Sequence, residues 1–210
     1  MHKDYLEVIH GLIIAELLCY DVAMKPNEIY KLFGPISVGV TWLTVAFVIH
    51  KWRGDKSMSI SRHAATHKAA YLTMLVVESI VLPMFFLFVA KWVTPVFDLP
   101  SFFTVCVGIA ASGLVVAAWI PDVKGWKNIV HGMAAYGAAM LFIPASTVLY
   151  LSPSISPFAR NMSLFVLIYE LVAVTSFTVS EKARSYHLYV QTAYIILFDL
   201  SILAVAYIVR

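Results

Sequence analysis

Charge is what this chain has least of. Asp, Glu, Lys and Arg make up 13% of its 210 residues, against 61% that are apolar. A soluble domain carries about 25% charged residues, so too little polar side chain is present to cover a water-soluble globule. The shortage excludes a soluble globular enzyme. The net charge of +3 bears on orientation in a bilayer rather than on nucleic acid. Cysteine is nearly absent too. Cys19 and Cys106 both fall in apolar runs, which leaves no disulfide framework and no Cys-based metal motif. Two buried thiols are the expectation. A cleavable signal pattern is missing as well: Asp4, Glu7 and Glu16 interrupt the first apolar run, so that run reads as a retained helix. No lysine stands at the centre of the last run, where a retinal Schiff base would sit, and this argues against a microbial rhodopsin.

What the chain does have is long apolar runs. A spanning helix needs about 20 mostly apolar residues, and seven runs qualify: 5–24, 32–50, 69–92, 101–120, 129–150, 162–180 and 188–209. The connections are short and hold the usual breakers, such as Lys25-Pro26-Asn27 and Pro121-Asp122. The expectation is therefore an all-α, polytopic transmembrane bundle of seven spans, one domain over 1–210, with the lipid bilayer as its partner. A six-span alternative stays open, because Glu7, Glu16 and Asp21 weaken the first run. Ten basic residues fall on one side, namely Lys3, Lys51, Arg53, Lys56, Arg62, Lys68, Lys124, Lys127, Lys182 and Arg184. The other side has five: Lys25, Lys31, Lys91, Arg160 and Arg210. The positive-inside rule then predicts a cytoplasmic N-terminus and an outside C-terminus in the cell membrane. Trp52, Trp92, Trp119 and Trp126 flank spans and are expected at headgroup level. Gly108 and Ser112 form a small-xxx-small pair that would let two helices approach closely. Pro83 and Pro144 fall inside spans and are expected to kink them.

Against this background four acids stand out. Glu16, Glu78, Glu170 and Asp199 each sit near the middle of a different run, with no Lys or Arg at those centres. An ionised group at the bilayer midplane costs roughly 2.5–3.5 kcal/mol on insertion scales, so such groups are rarely accidental. At a rise of 1.5 Å per residue all four lie about 14–17 Å from the cytoplasmic ends of their helices. A shared layer of carboxyl groups has three outcomes. The acids can share protons, bind a proton or a hard divalent cation in place of a conventional cofactor, or stay protonated and hydrogen-bond across helices. Tyr20, Tyr71 and Thr192 stand within two turns of acids as candidate partners. The histidines are a weaker signal. His63 and His67 are spaced i, i+4 and would share a face if the third helix began early; with Asp122 or His131 they would make a metal site, but an interfacial polar patch is the plainer reading.

The stretch AAWIPDVKGWKNIVHGMAAYGAAM, starting at Ala117, resembles the domain of unknown function 998 family of bacterial and archaeal membrane proteins. The matching positions are Pro121, Asp122 and His131, at the end of one apolar helix and the start of a small-residue helix. The resemblance implies an all-helical membrane protein of similar size and no established activity. In physical terms, Pro121 stops one span and Asp122 caps the reversal. An Asp122–His131 contact across the turn would be structural or a point of proton entry. Seven spans with an inside N-terminus also resemble the ceramidase and progestin-receptor-like superfamily, but the last two spans lack deep histidines for its metal. The functional expectation is a proton- or cation-coupled transporter or channel using the four acids, with no catalytic residues and a homo-oligomer in view because the chain is short. The alternatives are a non-catalytic sensor or accessory subunit, or a metal-dependent membrane hydrolase.

Overall fold

The computed structural model describes residues 26–52 and 54–208. The expected first span at 5–24, with Glu16 and Cys19, lies outside the described residues. Every regular element within them is a helix: α1 (Pro26–Lys51), α2 (Ile60–Ala65), α3 (Lys68–Phe88), α4 (Thr94–Val96), α5 (Ser101–Trp119), α6 (Trp126–Leu151), α7 (Pro157–Val179), α8 (Glu181–Arg184) and α9 (His187–Tyr207). A five-residue π-helical stretch, Val89–Val93, joins α3 to α4. Six segments have the length and apolarity to cross a membrane: Glu28–Lys51, Lys68–Val96, Ser101–Trp119, Trp126–Leu151, Pro157–Val179 and His187–Tyr207. The protein is a polytopic helical membrane protein, with six such helices among the described residues.

The chain alternates direction through these six helices. α1, α3, α5, α6, α7 and α9 form a ring in which each packs on its neighbours in the chain, and α9 returns to α1 across the thinnest pairing. α1 starts at Pro26, earlier than expected, because a proline's missing N–H is no loss in a first helical turn. α3 and α6 run unbroken through Pro83 and Pro144. Large apolar side chains such as Leu43, Val76, Met133 and Phe165 point outward, as expected of helices that face lipid on one side and protein on the other.

The core is concentrated at the end away from Lys51, Arg62 and Lys124. There Phe88, Phe103, Leu149, Phe198 and Ile202 are fully buried. Trp92, at the end of its span, packs into this core rather than facing outward: it stacks on Phe88 and Tyr207 at centroid distances of 5.8 and 6.1 Å. The π-helical stretch carries Trp92 and buries it along with Val89 and Val93, while Lys31 sets its ammonium 5.2 Å from the indole. Trp119 and Trp126, in contrast, are exposed. At the opposite, basic end the loops are knitted by α2. Ser59 caps it by accepting from Arg62 N, and Ile60 N donates to Gln191 Oε1 of α9 at 2.9 Å.

The most extensive helix pairing, α5 on α6, does not use the Gly108–Ser112 pair together. Gly108 faces the Phe86 ring of α3, and Ser112 is exposed with its hydroxyl turned back to the Gly108 carbonyl. Gly113 makes the α6 contact: a Cβ there would stand 2.9 Å from the Ala134 carbonyl oxygen. A backbone atom cannot swing aside, so Gly113→Val should destabilise the bundle by about 1–3 kcal/mol. Gly137→Ala, where a Cβ meets nothing within 4 Å, should cost nothing. Thermal unfolding of the two variants in detergent checks the contrast.

Candidate functional site

Below the aromatic core the ring of helices is not filled. A cavity of about 150 Å³ runs from the level of Ser37 and Phe85 toward the basic end, walled by α1, α2, α3, α5, α6 and α9. Glu78 of α3 and Asp199 of α9 both line it. Glu78 is only 8% exposed, and no hydrogen bond from the described residues reaches its carboxyl group. Asp199 accepts a hydrogen bond from Trp42 Nε1 of α1 at 2.8 Å, across the thin α9–α1 seam. Sequence reasoning missed Trp42, since nothing in a linear pattern couples positions 42 and 199. The candidate partners Tyr71 and Thr192 do not bond to these acids; the Tyr71 hydroxyl donates to the Trp119 carbonyl at 2.6 Å. Among the described residues that line the cavity, none is Lys or Arg.

Glu170 stands apart. It lies on α7, which contributes nothing to the cavity wall, and it is fully buried with neither carboxyl oxygen hydrogen-bonded. Ser146 of α6 is close by, is also fully buried, and has no hydrogen bond of its own. Tyr194 of α9 approaches from the other side, with its hydroxyl given to the Ala139 carbonyl at 2.6 Å. Of the four acids singled out by depth, the fold thus brings Glu78 and Asp199 to one cavity and sends Glu170 to the α6–α7–α9 interface. Glu16 lies outside the described residues.

The cavity ends, at its basic end, in a polar plug built by Pro121, Asp122 and His131. α5 stops at Trp119. The carbonyl of Ala117 would normally accept from the amide four residues on, but that residue is Pro121, which has no N–H. His131 supplies the missing donor: its Nδ1 lies 2.9 Å from Ala117 O and 2.8 Å from Ile120 O. Carbonyl oxygens only accept, so Nδ1 carries the proton. Nε2 then meets Ser61 Oγ at 2.8 Å, Ser61 meets Ser59 at 3.0 Å, and Ser59 donates to Asp122 at 3.0 Å. Asp122 and His131 therefore do not touch; two serines of the α2 region stand between them. Ser61 and His131 also line the cavity, so this chain of hydrogen bonds joins its wall to the basic loops.

Asp122 is held from three directions. Burial works against its charge, but hydrogen bonds from Ser59 and Asn128 and the Arg62 guanidinium, 3.3 Å away, hold its carboxyl below the usual carboxylate range. The i, i+4 relation of His63 and His67 is broken, because α2 ends at Ala65 and His67 is the N-cap of α3. His63 is buried while His67 is exposed beside Trp52. Among the described residues no three His, Cys, Asp or Glu side chains come together as metal ligands.

The fold and the cavity define a class, a multi-helix membrane protein with a carboxyl-lined interior. No protein-family model, curated protein or solved structure matches the chain.

Two outcomes follow from this geometry. Asp122→Ala should lower stability by about 2 kcal/mol, the scale of hydrogen bonds to a charged group; the Arg62 pair adds little, since that side chain is half exposed. Because the carboxyl is depressed in the fold, this contribution is whole above about pH 4 and disappears as the pH falls through the lower folded value. Melting curves of wild type and variant should converge in acid. Glu170→Met should raise stability by about 1–3 kcal/mol if Ser146, the polar group beside it, adds little to holding its buried carboxyl group, since neither makes a hydrogen bond of good geometry. A loss of stability in chemical denaturation would show that Glu170 has a partner after all.

Proposed function

We propose that the protein is a proton- or cation-coupled transporter or channel whose coupling site is the Glu78–Asp199 pair. One observation carries this reading: two carboxyl groups from different helices line a single cavity that has no Lys or Arg on its described wall. Such a pair can take up a proton or a cation and release it without breaking a salt bridge. Trp42 orients one member through its indole N–H, and the other is left with an open hydrogen-bonding capacity. In this reading the basic end faces the cytoplasm, as the Lys/Arg distribution implies. The His131–Ser61–Ser59–Asp122 chain is then the inner end of the path, and hydroxyl and imidazole groups are suited to pass protons there. Glu170 serves packing rather than coupling. The seven-span count and the membership of the domain of unknown function 998 family belong to the same proposal, the latter resting on Pro121, Asp122 and His131.

The reading is tested by flux in liposomes holding purified protein. Wild type should move protons or a divalent cation down an imposed gradient, and Glu78→Gln should reduce that flux by roughly tenfold or more, the effect of removing a midplane charge carrier. Equal flux in both proteins, or none in either, sinks the transport reading. It would leave a sensor or accessory subunit in its place.

A further inference from the structure

The composition of the cavity wall says more than that a cation is welcome. Apart from Glu78 and Asp199 the wall is mostly aliphatic and aromatic, with Tyr71, Phe85, Phe142 and Phe198 among its residues. A bare inorganic cation needs its water shell replaced by oxygen ligands, six to eight for calcium and a strict octahedron for magnesium. The polar groups available are largely committed elsewhere. The Tyr71 hydroxyl is bonded to the Trp119 carbonyl, the Gln191 carbonyl oxygen to Ile60 N, and Ser61 to His131. An organic ammonium asks for less. Its charge needs one or two carboxylates, its apolar body needs an apolar wall, and aromatic rings add attraction for the cationic head. Glu78 has the character of such an anchor: it is more than nine-tenths buried, lines the cavity, and has no hydrogen bond among the described residues. The size also limits the ligand. A cavity of about 150 Å³ is on the order of one that takes up a benzene ring.

We propose that the cavity is a binding site for a small hydrophobic organic cation, a ring-sized amine or quaternary ammonium, with Glu78 and Asp199 holding the charge and the aromatic residues holding the body. The proposal rests on the Glu78–Asp199 pair being the coupling site and names the substrate class of that site.

The experiment measures binding of benzylamine, a cation at neutral pH, to purified protein in nanodiscs by calorimetry, beside benzyl alcohol as a neutral ring of nearly the same size and shape. Wild type should bind the cation at least roughly tenfold more tightly than the alcohol, as a desolvated charge pair would give. Glu78→Gln and Asp199→Asn should each remove most of that preference, and Ala111→Phe, which fills the cavity from α5, should abolish binding of the cation. Absence of cation binding to wild type, equal binding of the alcohol, or full affinity in a folded Glu78→Gln protein would each overturn the proposal. The two wild-type measurements decide the matter even if a variant fails to fold. Glu78-dependent proton flux without cation binding would overturn this inference alone. Cation binding without Glu78-dependent flux would overturn the transport reading and keep the site.

Discussion

In a hydrocarbon layer no water reaches a bare carbonyl or amide, so each backbone polar group in a spanning segment must find its partner inside the protein. That constraint makes the long segments helical, and it also governs what happens where a helix stops. At the end of α5 the proline at 121 leaves the Ala117 carbonyl without its usual donor, and His131 of the next helix fills the gap. The imidazole is thereby fixed in orientation, with Nδ1 as a donor. Its other nitrogen is presented to Ser61, and the polar chain to Asp122 follows. A requirement of backbone chemistry thus positions a polar boundary between the cavity and the basic loops.

The second consequence concerns volume. Six helices in a ring leave a central space that only large side chains can fill. Toward one end Phe88, Trp92, Phe103 and Phe198 fill it. Toward the other, small residues on α5 and α6, with Ala111, Ala117 and Ala135 on the wall, leave it open. Small residues serve two purposes here: Gly113 lets α5 and α6 come together, and alanines facing inward keep room beside Glu78. This links the packing of the scaffold to the function proposed for the pair. Glu170, buried on α7 away from the cavity, shows that similar depth in the sequence does not bring all the acids to one space.

The helical spans were legible in the sequence because twenty apolar residues in a row have few alternatives in a membrane. The predicted runs from 32 onward agree with the observed helices to within a few residues, apart from the starts of α1 and α7. Those helices begin at Pro26 and Pro157, prolines that serve as first-turn residues. Trp92 lies at a span end, as its place in the sequence implies, but only the structure shows that the indole is buried against protein, on the π-helical stretch and beside Lys31.

What the sequence determined by itself was depth: an acid halfway along an apolar run lies near the bilayer centre whatever the fold. What only the tertiary structure decided was direction. Helices apolar on every side give no periodic signal to tell which face looks inward, since lipid and protein interior are equally apolar solvents for them. Glu78 and Asp199 meet because α3 and α9 both face the central space, and Glu170 is excluded because α7 lies outside its wall. Trp42 reaches Asp199 only because the ring closes on itself, and that closure brings together residues 157 positions apart.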